Sequence, residues 1–146
     1  MYKKILLPTD GSEIAESAAE HAFLLGSKSG AQILVLNVIE TPRFSGIRSA
    51  DKNELMNRFK DEGQKSFDRI KKKLNSCGEK CEKDIKVEFR FVEGSPADQI
   101  LKTIGEENID LVVMGTSGKR GLNRFLLGSV TENTMRSAHC PVLVVR

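Results

Sequence analysis

Tryptophan is absent from this 146-residue chain, and Tyr2 is its one tyrosine. So few flat rings argue against a flavin-type cofactor, which needs aromatic surface to lie against. No apolar run approaches the roughly 18 residues of a membrane span; Ile33–Leu36 and Leu111–Met114 stop after four. Cysteine is scarce and odd in number: Cys77, Cys81 and Cys140. That count does not suggest a secreted disulfide framework. The C-x3-C pair lacks the further ligands a zinc site wants, so Cys77 and Cys81 read as two unremarkable thiols at a helix end. A surplus of one charge is missing too. The net charge of +3 gives no basic face for nucleic acid. No G-x4-G-K-[S/T] segment occurs, so the phosphate-gripping lysine of efficient nucleotide hydrolases is not present.

What remains is ordinary globular material, 39% hydrophobic and 29% charged. The length suits one domain over 1–146, within the usual ~100–200 residues, with enough bulk for a core. The first residues, Met1 to Leu7, form too short an apolar stretch for a signal peptide before Pro8 intervenes. A cytoplasmic location with no membrane contact is therefore expected.

The chain alternates strand and helix signals. Strands are expected at 3–8, 32–39, 85–92, 109–114 and 142–145. Helices are expected at 13–28, 51–75, from Ser95, and at 129–138. Ser12 is placed to cap the first helix, with Gly26 and Gly30 punctuating its end. Asp51 is placed to cap the second, whose apolar face includes Phe59 and Phe67 and whose middle Gly63 weakens. Lys71, Lys72 and Lys73 read as a solvated face of that helix. Ser95-Pro96 opens the third helix. Ser129 with Glu132 has the spacing of a capping box for the fourth.

Strict alternation implies a parallel sheet with helices on both faces. Right-handed crossovers make the order 3-2-1-4-5 the simplest arrangement. The 85–92 segment alternates apolar and charged residues, the habit of a strand with one wet face, and so belongs at an edge. The other edge falls to Val142–Val145, wholly apolar, which needs a cover. A homodimer in which two copies of this strand meet would supply one.

In open sheets of this kind, ligands bind past the carboxyl ends of the strands where the order reverses. Here that crevice lies between strands 1 and 4. It directs attention to Pro8-Thr9-Asp10-Gly11 and to the segment starting at Met114-Gly115. Residues 115–127 make a connection of thirteen, long against the usual ~2–6. Its glycines, the hydroxyls of Thr116, Ser117, Ser129 and Thr131, and the charges of Lys119, Arg120 and Arg124 suit a polyphosphate. Asp10, across the crevice, could accept ribose hydroxyls or hold Mg²⁺; it also suits a plain turn before Gly11. Ser129 could serve as cap or phosphate donor, since both roles use the same free amides. Phe125-Leu126-Leu127 reads as a core anchor. His21 and His139 lack partners that would make either catalytic.

Three signatures occur together: Gly115, Gly118, Gly128 and Ser129 in the pattern G-x2-G-x9-G-[S/T], Pro8-Thr9-Asp10-Gly11-Ser12 after strand 1, and Gly94-Ser95-Pro96 before helix 3. In this combination the chain resembles the universal stress proteins of the ATP-binding subgroup over essentially its whole length. The resemblance implies an adenine-nucleotide alpha-hydrolase-like α/β fold. It implies ATP with Mg²⁺ (or Mn²⁺) as cofactor. Pro8, Thr9 and Val38 would contact adenine, Asp10 would take the ribose or the metal, and Met114 and Gly115 would flank the ribose. Gly118, Gly128, Ser129, Val130 and Thr131 would take the phosphates. It further implies a nucleotide-dependent stress switch, dimeric through its last strand, with at most slow hydrolysis and an unknown downstream protein partner. A nucleotide hydrolase or transferase is the alternative.

Overall fold

A computed structural model describes the chain except residues 41–45, 47, 78–80, 82–83 and 117–125. Five strands, β1 (Lys4–Pro8), β2 (Gln32–Ile39), β3 (Val87–Glu93), β4 (Leu111–Gly115) and β5 (Val142–Val145), alternate with four helices. These are α1 (Glu13–Ser29), α2 (Ser49–Ser76), α3 (Pro96–Glu106) and α4 (Ser129–Ser137). The strands pair in parallel, in the order β3-β2-β1-β4-β5. This is the open α/β sheet expected from the alternation of signals.

Side chains of successive strand residues point to opposite faces, and the core divides accordingly. Ile5, Leu7, Ile33, Val35 and Val113 pack with Phe23 of α1 and Phe67 and Ile70 of α2. Leu6, Leu34, Leu36, Val112 and Met114 pack on the other face with Ile100 and Ile104 of α3. The central strands are covered on both faces, which is why their sequences are continuously apolar.

Local chemistry explains the helix ends. Ser12 caps α1, its hydroxyl accepting from the Ala15 amide at 3.2 Å. Gly30 ends α1 in the left-handed conformation, φ 73°, where a side chain would be strained. Gly26 does not end the helix. A Cβ there would lie 2.8 Å from Ile33 Cδ1, so this glycine lets α1 sit close on β2. Gly63 has the same use in α2: a Cβ would lie 2.5 Å from Phe91 Cε1 and 3.0 Å from Asn37 Oδ1. Phe67, one turn on, meets Phe89 and Phe91 with ring centroids 5.1 and 4.6 Å apart.

Four local expectations are corrected. Helix α2 begins at Ser49 after Arg48, so Asp51 lies in its first turn rather than at the cap. Helix α4 is preceded by Gly128, and Ser129 is its first helical residue, not its cap. Cys77 and Cys81 are joined in a disulfide, their Cα atoms 5.7 Å apart; C-x3-C places two cysteines one helical turn apart, within bridging reach. Of the expected anchor Phe125-Leu126-Leu127, Leu126 and Leu127 are exposed (58% and 37%), and Phe125 lies outside the described residues. Strand β3 is at the edge, as its alternation requires. Its charged face is half covered, however, because Glu107 at the end of α3 binds both Lys4 and Arg90.

Among the described residues, no helix is long and apolar enough to cross a membrane.

Candidate functional site

The crevice between β1 and β4 opens into a cavity of about 470 Å³, within the ~300–1,000 Å³ of small-molecule sites. Its floor is the carboxyl ends of three strands. Pro8, Thr9 and Asp10 come from the end of β1, Asn37 and Val38 from β2, Met114 and Gly115 from β4. One wall is the start of α4: Gly128, Ser129, Val130 and Thr131. Phe59, Glu62 and Gly63 of α2 and Pro96 and Ile100 of α3 also line it. Ten of the eleven residues singled out in the sequence thus border one space. The eleventh, Gly118, lies outside the described residues, as do Ser117, Lys119, Arg120 and Arg124.

The wall at α4 is built to face an anion. Gly128 occupies the cap position with extended backbone and has no side chain with which to accept from the first turn. The first amides of a helix have no intrahelical acceptor, and they lie at the positive end of the helix dipole. Ser129, Val130 and Thr131, the residues of that first turn, line the cavity, and a helix start is a place where a phosphate can bind. Gly128 is tied to the end of the sheet: Gly128 N donates to Thr116 O at 2.7 Å, and Thr116 N to Val145 O at 2.9 Å. The Thr131 hydroxyl is not a cavity donor, against expectation. It is buried and donates to Gly115 O at 2.8 Å, fastening α4 to the end of β4. Gly115 is small for a packing reason, since a Cβ there would lie 2.5 Å from Ile14 Cγ2 of α1.

Opposite this wall, Asp10 is held by its own turn. Its Oδ1 accepts from Ser12 N at 2.9 Å. Gly11 follows with φ 81°, a left-handed turn conformation that suits glycine. The turn role and a ligand role are compatible, because a carboxylate accepts several hydrogen bonds. Thr9 is buried and points its hydroxyl down to Ser66 of α2, at 3.2 Å, so its side chain supports the floor. Among the described residues, no cluster of three or more His, Cys, Asp or Glu could hold a metal ion by itself.

Several lining residues escaped the sequence reading. Phe59 looked like core but is half-buried and lines the cavity, because the buried residues of α2 begin only at Gly63. Phe59, Glu62 and Gly63 of α2 lie beside the carboxyl ends of the strands at this cavity. Asn37 carried a usable signal: it is the one polar residue inside the apolar run 33–39.

Comparison with known proteins agrees with this geometry. The universal stress protein family profile matches residues 1–146. The universal stress protein MJ0531 of Methanocaldococcus jannaschii is 39% identical over 147 residues, covering 100% of this chain and 83% of that protein. MJ0577 of the same organism is 37% identical over 161 residues, covering 100% and 96%. Its solved structure superposes with a TM-score of 0.83 at 38% identity, over 99% of this chain and 96% of that one. A universal stress protein solved in complex with cAMP superposes with a TM-score of 0.69 at 25% identity, over 99% and 96% of the two chains. Matched along its whole length in sequence and in fold, the chain belongs to the universal stress protein family.

Proposed function

We propose that the cleft binds an adenine nucleotide, ATP with Mg²⁺ (or Mn²⁺), and that the protein is a nucleotide-dependent regulatory switch of the stress response. One observation carries this reading most: a cavity lined by Pro8, Val38, Phe59 and Met114 is lined as well by the first residues of a helix whose cap residue, Gly128, carries no side chain. A base suits the first set of residues, and a chain of phosphates suits a helix start. Pro8, Thr9 and Val38 would border adenine, and Met114 and Gly115 the ribose. The amides of Ser129, Val130 and Thr131, with Gly118 and Gly128, would receive phosphate oxygens. A relative carrying cAMP, itself an adenine nucleotide, supports the ligand class.

The residues present fit a magnesium ion in one way. Mg²⁺ commonly takes one or two carboxylates and completes its shell with phosphates and water. Asp10 would supply the carboxylate, and a bound ion would neutralise phosphate charge. A metal site independent of nucleotide is not part of the proposal.

The reading also includes a homodimer through β5. Its Val142, Leu143 and Val144 are half-buried on the last strand of the sheet, whose outer edge has no neighbour among the described residues. Sedimentation at micromolar concentration tests this: a dimer is expected, and a monomer contradicts it. A cytoplasmic location and a downstream protein partner complete the proposal.

Heating the purified protein and chromatographing the supernatant tests the ligand. ATP is expected to be released, or to bind the emptied protein with micromolar affinity, which is about 8 kcal/mol. A protein that is empty and does not bind contradicts the reading. Turnover of about 1 s⁻¹ or above, in the range common for enzymes, would favour the alternative of a nucleotide hydrolase or transferase.

A further inference from the structure

Among the described residues, two groups of buried polar side chains differ in where they bond. Thr103 and Thr134 return their hydroxyls to the carbonyls of Gln99 and Val130, four residues back in their own helices. Thr9, Asn37 and Ser66, 6%, 7% and 1% exposed, bond instead between elements, and they converge on the turn that carries Asp10. A buried polar group stabilises its site only while its partner is in place, so such bonds fix relative positions.

Asp10 is flanked by two residues, and α2 holds both. On one side, the Thr9 and Ser66 hydroxyls lie 3.2 Å apart, and Thr9 Oγ1 also accepts from Gly11 N at 3.2 Å. Asn37 Nδ2 donates to the Thr9 carbonyl at 3.1 Å. On the other side, Arg69 Nη2 donates to the Gly11 carbonyl at 3.1 Å, while its Nε is paired with Glu16 of α1. Ser66 and Arg69 are three residues apart, so they share one face of the helix. Gly63, one turn earlier, lets that face approach Asn37.

We infer that Ser66, Arg69 and Asn37 are positioning residues for nucleotide: they hold Asp10 at the cavity it shares with the start of α4 by clamping its neighbours Thr9 and Gly11. The inference rests on the nucleotide reading above. None of the three needs to touch the ligand. Their contribution is to keep the carboxylate from wandering, so that binding does not have to order the turn.

The test is titration of Mg-ATP into wild type, Ser66→Ala and Arg69→Met, alone and combined with Asp10→Ala. Circular dichroism confirms that each protein is folded. Each single clamp variant is expected to weaken Kd about tenfold, which is about 1.4 kcal/mol. In the Asp10→Ala background the same changes should cost less than about twofold, because residues acting through one group are not additive. A purely structural role would lower the melting temperature and leave Kd alone, and that result overturns the inference. Equal losses with and without Asp10 overturn it too. Should Ser66→Ala fail to fold, Arg69→Met, at a side chain 45% exposed, carries the test. Wild type that binds no Mg-ATP removes the nucleotide reading and this inference with it. Wild type that binds while the clamp variants bind equally well removes the inference alone.

Discussion

The two ends of the sheet treat polar groups in opposite ways. At the amino end, the groups answer one another. Glu107 binds Lys4 and Arg90, Arg90 also binds Glu88, and Asp110 accepts from the amides of Lys3 and Lys4. At the carboxyl end, the amides of α4 and the Asp10 turn border a cavity. Charges that are matched inside the protein contribute to stability; donors gathered around a space contribute to binding. The comparison separates, on physical grounds, a structural ion network from a candidate binding site.

If that division is right, changes at one end should spare the property that belongs to the other. The largest effect is expected for Gly128→Val. Its side chain would enter the space before the α4 amides and weaken Mg-ATP about 100-fold or more, some 2.7 kcal/mol. The melting temperature should fall only slightly, since valine is a poor but tolerated cap. Calorimetric titration and a thermal melt on the same sample check both halves.

Reduction of the Cys77–Cys81 bond lies next. A short closed loop contributes at most about 2 kcal/mol through the unfolded chain. Unfolding in urea with and without reductant should show a loss of that size or smaller, with Kd unchanged. A change in nucleotide affinity would break the division, because this bond lies at the far end of α2 from Phe59 and Gly63.

Glu107→Gln should have the smallest effect. Hydrogen bonds from Lys4 and then Arg90 hold the Glu107 carboxyl down at about 2, from an ordinary 4.5. A depressed carboxylate stabilises the fold fully above its unfolded value, and that stability is lost as pH falls from about 4.5 towards 2. Because the pair is partly exposed to solvent, the substitution should cost about 1 kcal/mol at neutral pH, roughly 3 °C in melting temperature. The variant should also lose part of the wild type's acid dependence over that window. Nucleotide affinity should not move.

Much of this was legible beforehand. The continuous apolar runs of β1, β2 and β4 could only be doubly covered strands, and the alternation of β3 put it at an edge. Topology then located the crevice, and ten of the eleven named residues border it. What failed was local. Gly26 and Gly63 looked like breaks, because a sequence does not reveal that Ile33 or Phe91 lies where a Cβ would be. Ser129 had capping-box spacing, yet Gly128 occupies the cap and leaves the amides to the cavity. Thr131 looked like a donor to ligand, but its hydroxyl donates to Gly115 O. Phe59 was hidden by periodicity, which marks a helix face without saying where the sheet beneath it ends.

The most direct trial is a crystal structure grown with excess Mg-ATP. The triphosphate oxygens should lie against the amides of Ser129, Val130 and Thr131, with Asp10 across from them at the ribose or the metal. A cleft holding only solvent under those conditions, or a nucleotide bound elsewhere on the molecule, would contradict the account.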